Sequence, residues 1–141
     1  MDQDSPLVLV VDDEPPIIEL LQRVGREHFP EARFISANSP QEALTYLDTP
    51  NRELPHLILL DIDLHSSVDG LELLPTIRSK TQGLTPVVMF TMSDKKPDVA
   101  RAYAAGAVAY TRKPEALKEW VTYVTLLRDY WFRISILPGK V

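Results

Sequence analysis

The sequence predicts an α/β fold: a doubly wound, parallel five-stranded sheet sandwiched between two layers of helices. Three observations predict it. Short apolar runs alternate five times with stretches of helical periodicity, and runs of about four to eight aliphatic residues read as strands buried on both faces of a parallel sheet. The connections are short, as right-handed βα crossovers require. Acids, a hydroxyl and a lysine follow the carboxyl ends of four of the runs, the edge where such sheets bind ligands.

The elements follow in order. Residues 7–11 form the first strand and end in Asp12-Asp13-Glu14. Pro16 suits a helix first turn, and Ile17, Ile18, Leu20, Leu21 and Val24 follow at helical spacing. A second strand, 33–37, precedes a helix opened by Ser39 with Pro40 and Glu42, close to a capping box. The third strand, 57–60, ends in Asp61-Ile62-Asp63, and Asp69-Gly70-Leu71-Glu72 opens the next helix with a second acid-x-x-Glu pattern. The fourth, 86–90, ends in Thr91 and leads to an Ala-rich helix over 97–105, which Gly106 can terminate. The fifth, 107–110, is soon followed by Lys113-Pro114 and a long helix over 115–134. Residues 1–141 therefore read as one domain, with a core over 7–134, an arm at 1–6 and a tail at 135–141.

Composition agrees with a single globular unit. The 141 residues are 45% hydrophobic and 25% charged, ordinary values at a size that buries a real core. Twenty acidic and 15 basic residues leave a net charge of −5 without a dense Lys/Arg stripe, so neither nucleic acid nor a membrane is expected as a direct partner. There is no cysteine, which excludes disulfides, thiol catalysis and thiolate-bound zinc. The N-terminus has no basic region before its short apolar run, and no run reaches transmembrane length. The expected location is the cytoplasm.

The residues at the strand ends carry the chemistry. Mg²⁺ prefers oxygen ligands, keeps several waters and takes one or two carboxylates; Asp13 and Asp61 suit that role, with Asp12 acting through water. A carboxylate can also be the nucleophile that takes a phosphoryl group. Lys113 can neutralise one phosphoryl oxygen and the Thr91 hydroxyl can donate to another. Singly, each has an ordinary explanation: acids before a helix are favourable at its positive end, and threonine is a common strand residue. Lys113, a cation just before a helix start, is harder to explain that way.

Together, the acidic pair Asp12-Asp13, Asp61, the Asp69-Gly70-Leu71-Glu72-Leu73-Leu74 segment, Thr91, and Ala105-Gly106-Ala107 leading to Tyr110 and Lys113-Pro114 resemble the response-regulator receiver domains of two-component signalling. The resemblance covers residues 7–130 and implies a flavodoxin-like fold. It implies phosphotransfer from a sensor histidine kinase's phosphohistidine to Asp61, with Mg²⁺ held by Asp13, Asp61 and the backbone carbonyl of Asp63, and by Asp12 through water. It implies Thr91 and Tyr110 as a switch pair, Lys113 as the phosphate partner, and a cis Lys113–Pro114 bond. His65 stands where family members usually have proline, the loop after Asp61 is one residue longer, and Met92 replaces the usual Ala or Gly and is expected to narrow access. Pro75, inside the third helix, is expected to kink it or cost about 3 kcal/mol.

A haloacid-dehalogenase-like phosphatase is the alternative suggested by Asp61-Ile62-Asp63, but that family places its nucleophile on the first strand and its acidic pair downstream. A receiver-like dimerisation scaffold that is not phosphorylated is a further alternative. His28, His56 and His65 read as solvated residues rather than ligands, and Lys95-Lys96 as a solvated pair. In the last helix, Leu117, Trp120, Val121, Val124, Leu127, Trp131 and Ile134 make the stripe that covers the sheet, leaving Tyr123, Leu126, Tyr130 and Phe132 on other sides as a partner surface. Tyr130-Trp131 and Ile136-Leu137-Pro138 resemble stand-alone receivers that partner phytochrome-type histidine kinases. That resemblance implies a homodimer through the fourth and fifth βα units and the C-terminal helix.

Overall fold

The computed structural model describes residues 5–138. Five parallel strands, β1 (Leu7–Val11), β2 (Arg33–Ala37), β3 (Leu57–Leu60), β4 (Val87–Thr91) and β5 (Ala109–Arg112), form one sheet in the order β2-β1-β3-β4-β5. The helices are α1 (Pro15–His28), α2 (Pro40–Asp48), α3 (Gly70–Lys80), α4 (Lys96–Ala104) and α5 (Leu117–Leu126), the last continuing as a π-helix over Leu127–Ile134. No helix among the described residues is long and apolar enough to cross a membrane.

Alternation along the strands builds two cores. Val8, Val10, Leu57, Leu59, Val88 and Phe90 face α1 and α5, whereas Leu9, Val11, Ile58, Leu60, Val87 and Met89 face α2, α3 and α4. All five residues of β1 and all four of β3 are buried, which accounts for their unbroken apolar runs. Phe90 stacks on Tyr123 at 4.8 Å and meets Trp120 edge-on at 5.5 Å, tying α5 to the sheet.

The helix ends follow local chemistry. Ser39 accepts the Glu42 amide, and Glu42 in return accepts from Asn38 rather than from the cap residue itself. Asp69 and Glu72 make the full reciprocal box at the start of α3. At the end of α4, Ala107 donates to the Ala102 carbonyl and Gly106 to that of Tyr103, with Gly106 at φ 106°. This Schellman closure needs a left-handed residue, hence the glycine.

Helix α3 is continuous through Pro75, which is exposed. Three sequence expectations are corrected. The last helix begins at Leu117 rather than 115, with Ala116 donating to the Glu119 carboxylate, and widens into π geometry at Leu127. That widening stacks residues five apart. Leu127 and Phe132 accordingly both pack toward α1, Phe132 lying 5.5 Å from Phe29, while Leu117 and Ile134 are exposed. Tyr123 and Phe132 thus belong to the covered side, and the predicted stripe loses both of its ends. Finally, the tail is not wholly free, because Leu137 is buried; residues 139–141 lie outside the described residues.

Candidate phosphoryl and metal site

Register delivers the site. Val11 pairs with Leu60, so Asp12 and Asp61, the next residues on adjacent strands, leave the sheet side by side. This is the point where the strand order reverses, β2 lying to one side of β1 and β3 to the other, the usual place for a ligand crevice. Backbone bonds hold both ends: Asp12 donates to Ala37 and Asp61 to Val11, each at 3.0 Å. Gly70 packs against the Asp61 carbonyl so closely that a β-carbon there would lie 1.9 Å from its oxygen. The Asp69-Gly70 step is therefore a steric requirement of the Asp61 backbone.

Asp12, Asp13, Glu14 and Asp61 each place a carboxylate oxygen within 4.8 Å of the others. Lys113 reaches across from the end of β5. Its Nζ lies 2.9 Å from Asp61 Oδ2, 2.9 Å from Glu14 Oε1 and 2.8 Å from Asp12 Oδ2. The first two contacts are hydrogen bonds; Asp12 Oδ2 lies off the bonding direction and has no directed partner. Asp12, Asp61 and Lys113 are almost completely buried. Burial pushes the Asp12 carboxyl up to about 6, against the opposing pull of Lys113. Burial alone would lower Lys113, but its hydrogen bonds to Asp61 and Glu14 and its close ion pair with Asp12 outweigh that and hold it charged.

Four carboxylates face one ammonium, and Asp13 Oδ1 is a second buried oxygen without a hydrogen-bond partner. Hard oxygen donors in negative excess fit Mg²⁺ or a similar divalent ion. A cleft of about 270 Å³ opens beside them, lined by Glu14, Asp61, Asp63, His65, Thr91, Met92 and Lys113 among others. Thr91 is buried, its hydroxyl accepting the Ser93 amide at 3.4 Å. Met92 stands half-exposed at the cleft wall. Tyr110 is outside the cleft lining, but its hydroxyl donates to the Ser93 carbonyl at 2.8 Å, linking β5 to the loop that follows Thr91.

The structure thus gathers Asp12, Asp13, Asp61, Thr91 and Lys113, places Asp63 on the cleft wall, and connects Tyr110 through Ser93. No peptide bond among the described residues is cis, so the expected cis Lys113–Pro114 is corrected to trans. Sequence reasoning missed two residues. Glu14 was assigned only to the helix start, yet its carboxylate binds Lys113. His65 is largely exposed, as expected, but its Nδ1 lies 2.6 Å from Asp13 Oδ2, a contact the sequence did not reveal. His56 is likewise more than a surface residue, since its Nδ1 accepts the Leu7 amide at the start of β1.

A family model for the response regulator receiver domain matches residues 8–125. The chain belongs to that family. This receiver is 28% identical over 145 residues to response regulator Rcp1 of Synechocystis, covering 98% of each chain. It is 30% identical to the probable methanogenesis regulatory protein FilR2 of Methanothrix harundinacea, over 97% of this chain and 90% of that one. The crystal structure of the phosphorylated cyanobacterial phytochrome response regulator RcpA superposes with a TM-score of 0.86 at 26% identity, covering 96% of this receiver and 99% of that chain. The receiver is a response regulator of two-component signalling, and the phosphatase alternative gains no support.

Proposed function

We propose that this receiver accepts a phosphoryl group on Asp61 from the phosphohistidine of a sensor histidine kinase and signals through contacts that depend on that modification. The observation that carries the reading is Lys113, buried against Asp12 and Asp61 at the floor of an open cleft. Lys113 holds Asp61 Oδ2, which leaves Oδ1 to form the new O–P bond. The P–N bond to the donor imidazole breaks, and its electron pair returns to that nitrogen. Lys113 and the Thr91 hydroxyl meet the phosphoryl oxygens. Asp13, Asp61 and the Asp63 carbonyl, with Asp12 through water, would hold a Mg²⁺ ion there, which would offset the added negative charge.

The modification then acts by population shift: charge on Asp61 favours the form with Thr91 drawn toward it and Tyr110 held inward. Tyr110 bonded to Ser93, two residues beyond Thr91, supports that coupling. The kinase partner is of phytochrome type, a reading supported by the likeness to RcpA over nearly the whole chain. The output surface is a homodimer face on α4, β5 and α5, supported by the exposed Tyr103, Val108, Leu126 and Tyr130 and by an apolar groove of about 500 Å³ between β5 and the last helix. The reading places the protein in the cytoplasm without a direct nucleic-acid or membrane partner.

Incubation with a phosphorylated phytochrome-type histidine kinase tests it. Loss of label from the kinase with gain on this chain, absent for Thr91→Ala together with Lys113→Met, is expected. Label remaining on the kinase refutes the partner assignment.

A further inference from the structure

His65 occupies an unusual backbone position. It sits at φ 48°, the left-handed region that a non-glycine residue rarely enters. Two contacts hold it there. Its amide donates to Asp63 Oδ1 at 3.2 Å, and its ring Nδ1 lies 2.6 Å from Asp13 Oδ2, bridging the loop after β3 to the acid after β1. The other ring nitrogen is 3.5 Å from Asp63 Oδ2. The ring is largely exposed, so burial does not explain its placement.

The two oxygens of Asp13 are consequently unequal. Oδ2 is taken by the imidazole, whereas Oδ1 is buried and without a hydrogen-bond partner. A carboxylate fixed through one oxygen presents the other in a defined direction, as hydrogen-bonded partners behind metal ligands generally do. Nδ1 can donate in this way from the imidazolium or from the neutral Nδ1–H tautomer.

We propose that His65 is a positioning residue for the divalent cation: it holds Asp13 through Oδ2 so that Oδ1 is presented to the metal. This rests on the metal reading of the acid cluster given above. It also assigns a purpose to the loop after Asp61, which carries the histidine to Asp13.

Mg²⁺ titration calorimetry on the full chain tests the proposal with three variants. His65→Gly removes the ring while tolerating the positive φ. His65→Asn tolerates that φ and retains an N–H in the place of Nδ1. Asp13→Asn controls for the site. The expected result is about tenfold weaker Mg²⁺ binding in His65→Gly, substantial recovery in His65→Asn, and a retained Nδ1–H resonance in the ¹⁵N-labelled, Mg²⁺-loaded wild type. Unchanged or tighter binding in His65→Gly, or loss of the Nδ1 proton on metal binding, overturns the positioning role while leaving the site intact. Absence of Mg²⁺ binding in the wild type, with Asp13→Asn indistinguishable from it, overturns the site reading and this inference together.

Discussion

Replacing Lys113 by methionine keeps most of the buried stem and removes the charge. In the native protein that charge faces Asp12 and Asp61, both almost fully buried, and the half-exposed Glu14, all within 2.9 Å. Removing one partner of a buried ion pair costs about 3–5 kcal/mol, because the remaining charges stay desolvated. That is a large part of a typical total of about 5–15 kcal/mol. The loss should depend on pH. Asp12 already holds its proton up to about pH 6, and without Lys113 it holds it higher still. The penalty is therefore greatest where Asp12 is ionised in the variant and shrinks as pH falls toward 6 and below, as protonation removes the uncompensated charge. Added Mg²⁺ should rescue the variant more than the wild type, since ligand binding to the native state stabilises it by mass action and the variant's site is more negative. Urea denaturation at pH 7.5 and 5.5, with and without Mg²⁺, measures all three effects. A loss below about 1 kcal/mol, the range of an exposed pair, or one unchanged by pH and Mg²⁺, refutes the picture of a buried charge cluster.

Other consequences follow from the same geometry. The Asp12 carboxyl titrates at about 6 in the fold against 3.8 when solvated, so the native state binds the extra proton and loses stability as pH rises through that window. Asp12→Asn should consequently raise stability at pH 7.5 by about 1–3 kcal/mol, little or none of it remaining below pH 4, while weakening Mg²⁺ binding; chemical denaturation across pH reads the sign, and a destabilised variant at neutral pH contradicts it. Gly70→Ala places a β-carbon 1.9 Å from the Asp61 carbonyl oxygen. It should cost about 1–3 kcal/mol, the usual range for overpacking, and slow phosphorylation at Asp61 although residue 70 has no functional group, a result checked by thermal denaturation alongside acetyl phosphate kinetics.

Much of this was legible in the sequence because the relevant signals are local. Strands buried on both faces write themselves as unbroken apolar runs, so β1 and β3 were readable to the residue. Asp69 and Glu72 announced their capping box, and Gly106 its left-handed turn. The parallel register then converts strand ends into neighbours, which is why Asp12, Asp61 and Lys113 could be grouped before their distances were known. What escaped depends on long-range geometry. Nothing in residues 127–134 signals a π-helix, so the spacing of Leu127 and Phe132 was read with the wrong period. Glu14 looked like a helix-start acid because its partner lies 99 positions away. The His65 contact escaped for a related reason: the ring is solvated, as expected of a loop histidine, but only the fold brings Asp13 beside it.

Asp61 is tested as the acceptor by the intact mass of the purified chain after incubation with Mg²⁺ and acetyl phosphate, run beside Asp61→Asn. One added phosphoryl group is expected on the wild type and none on the variant, with both chains folded. A variant that still gains the group, or a folded, Mg²⁺-binding wild type that gains none from acetyl phosphate or a cognate kinase, contradicts the assignment of Asp61 as the acceptor.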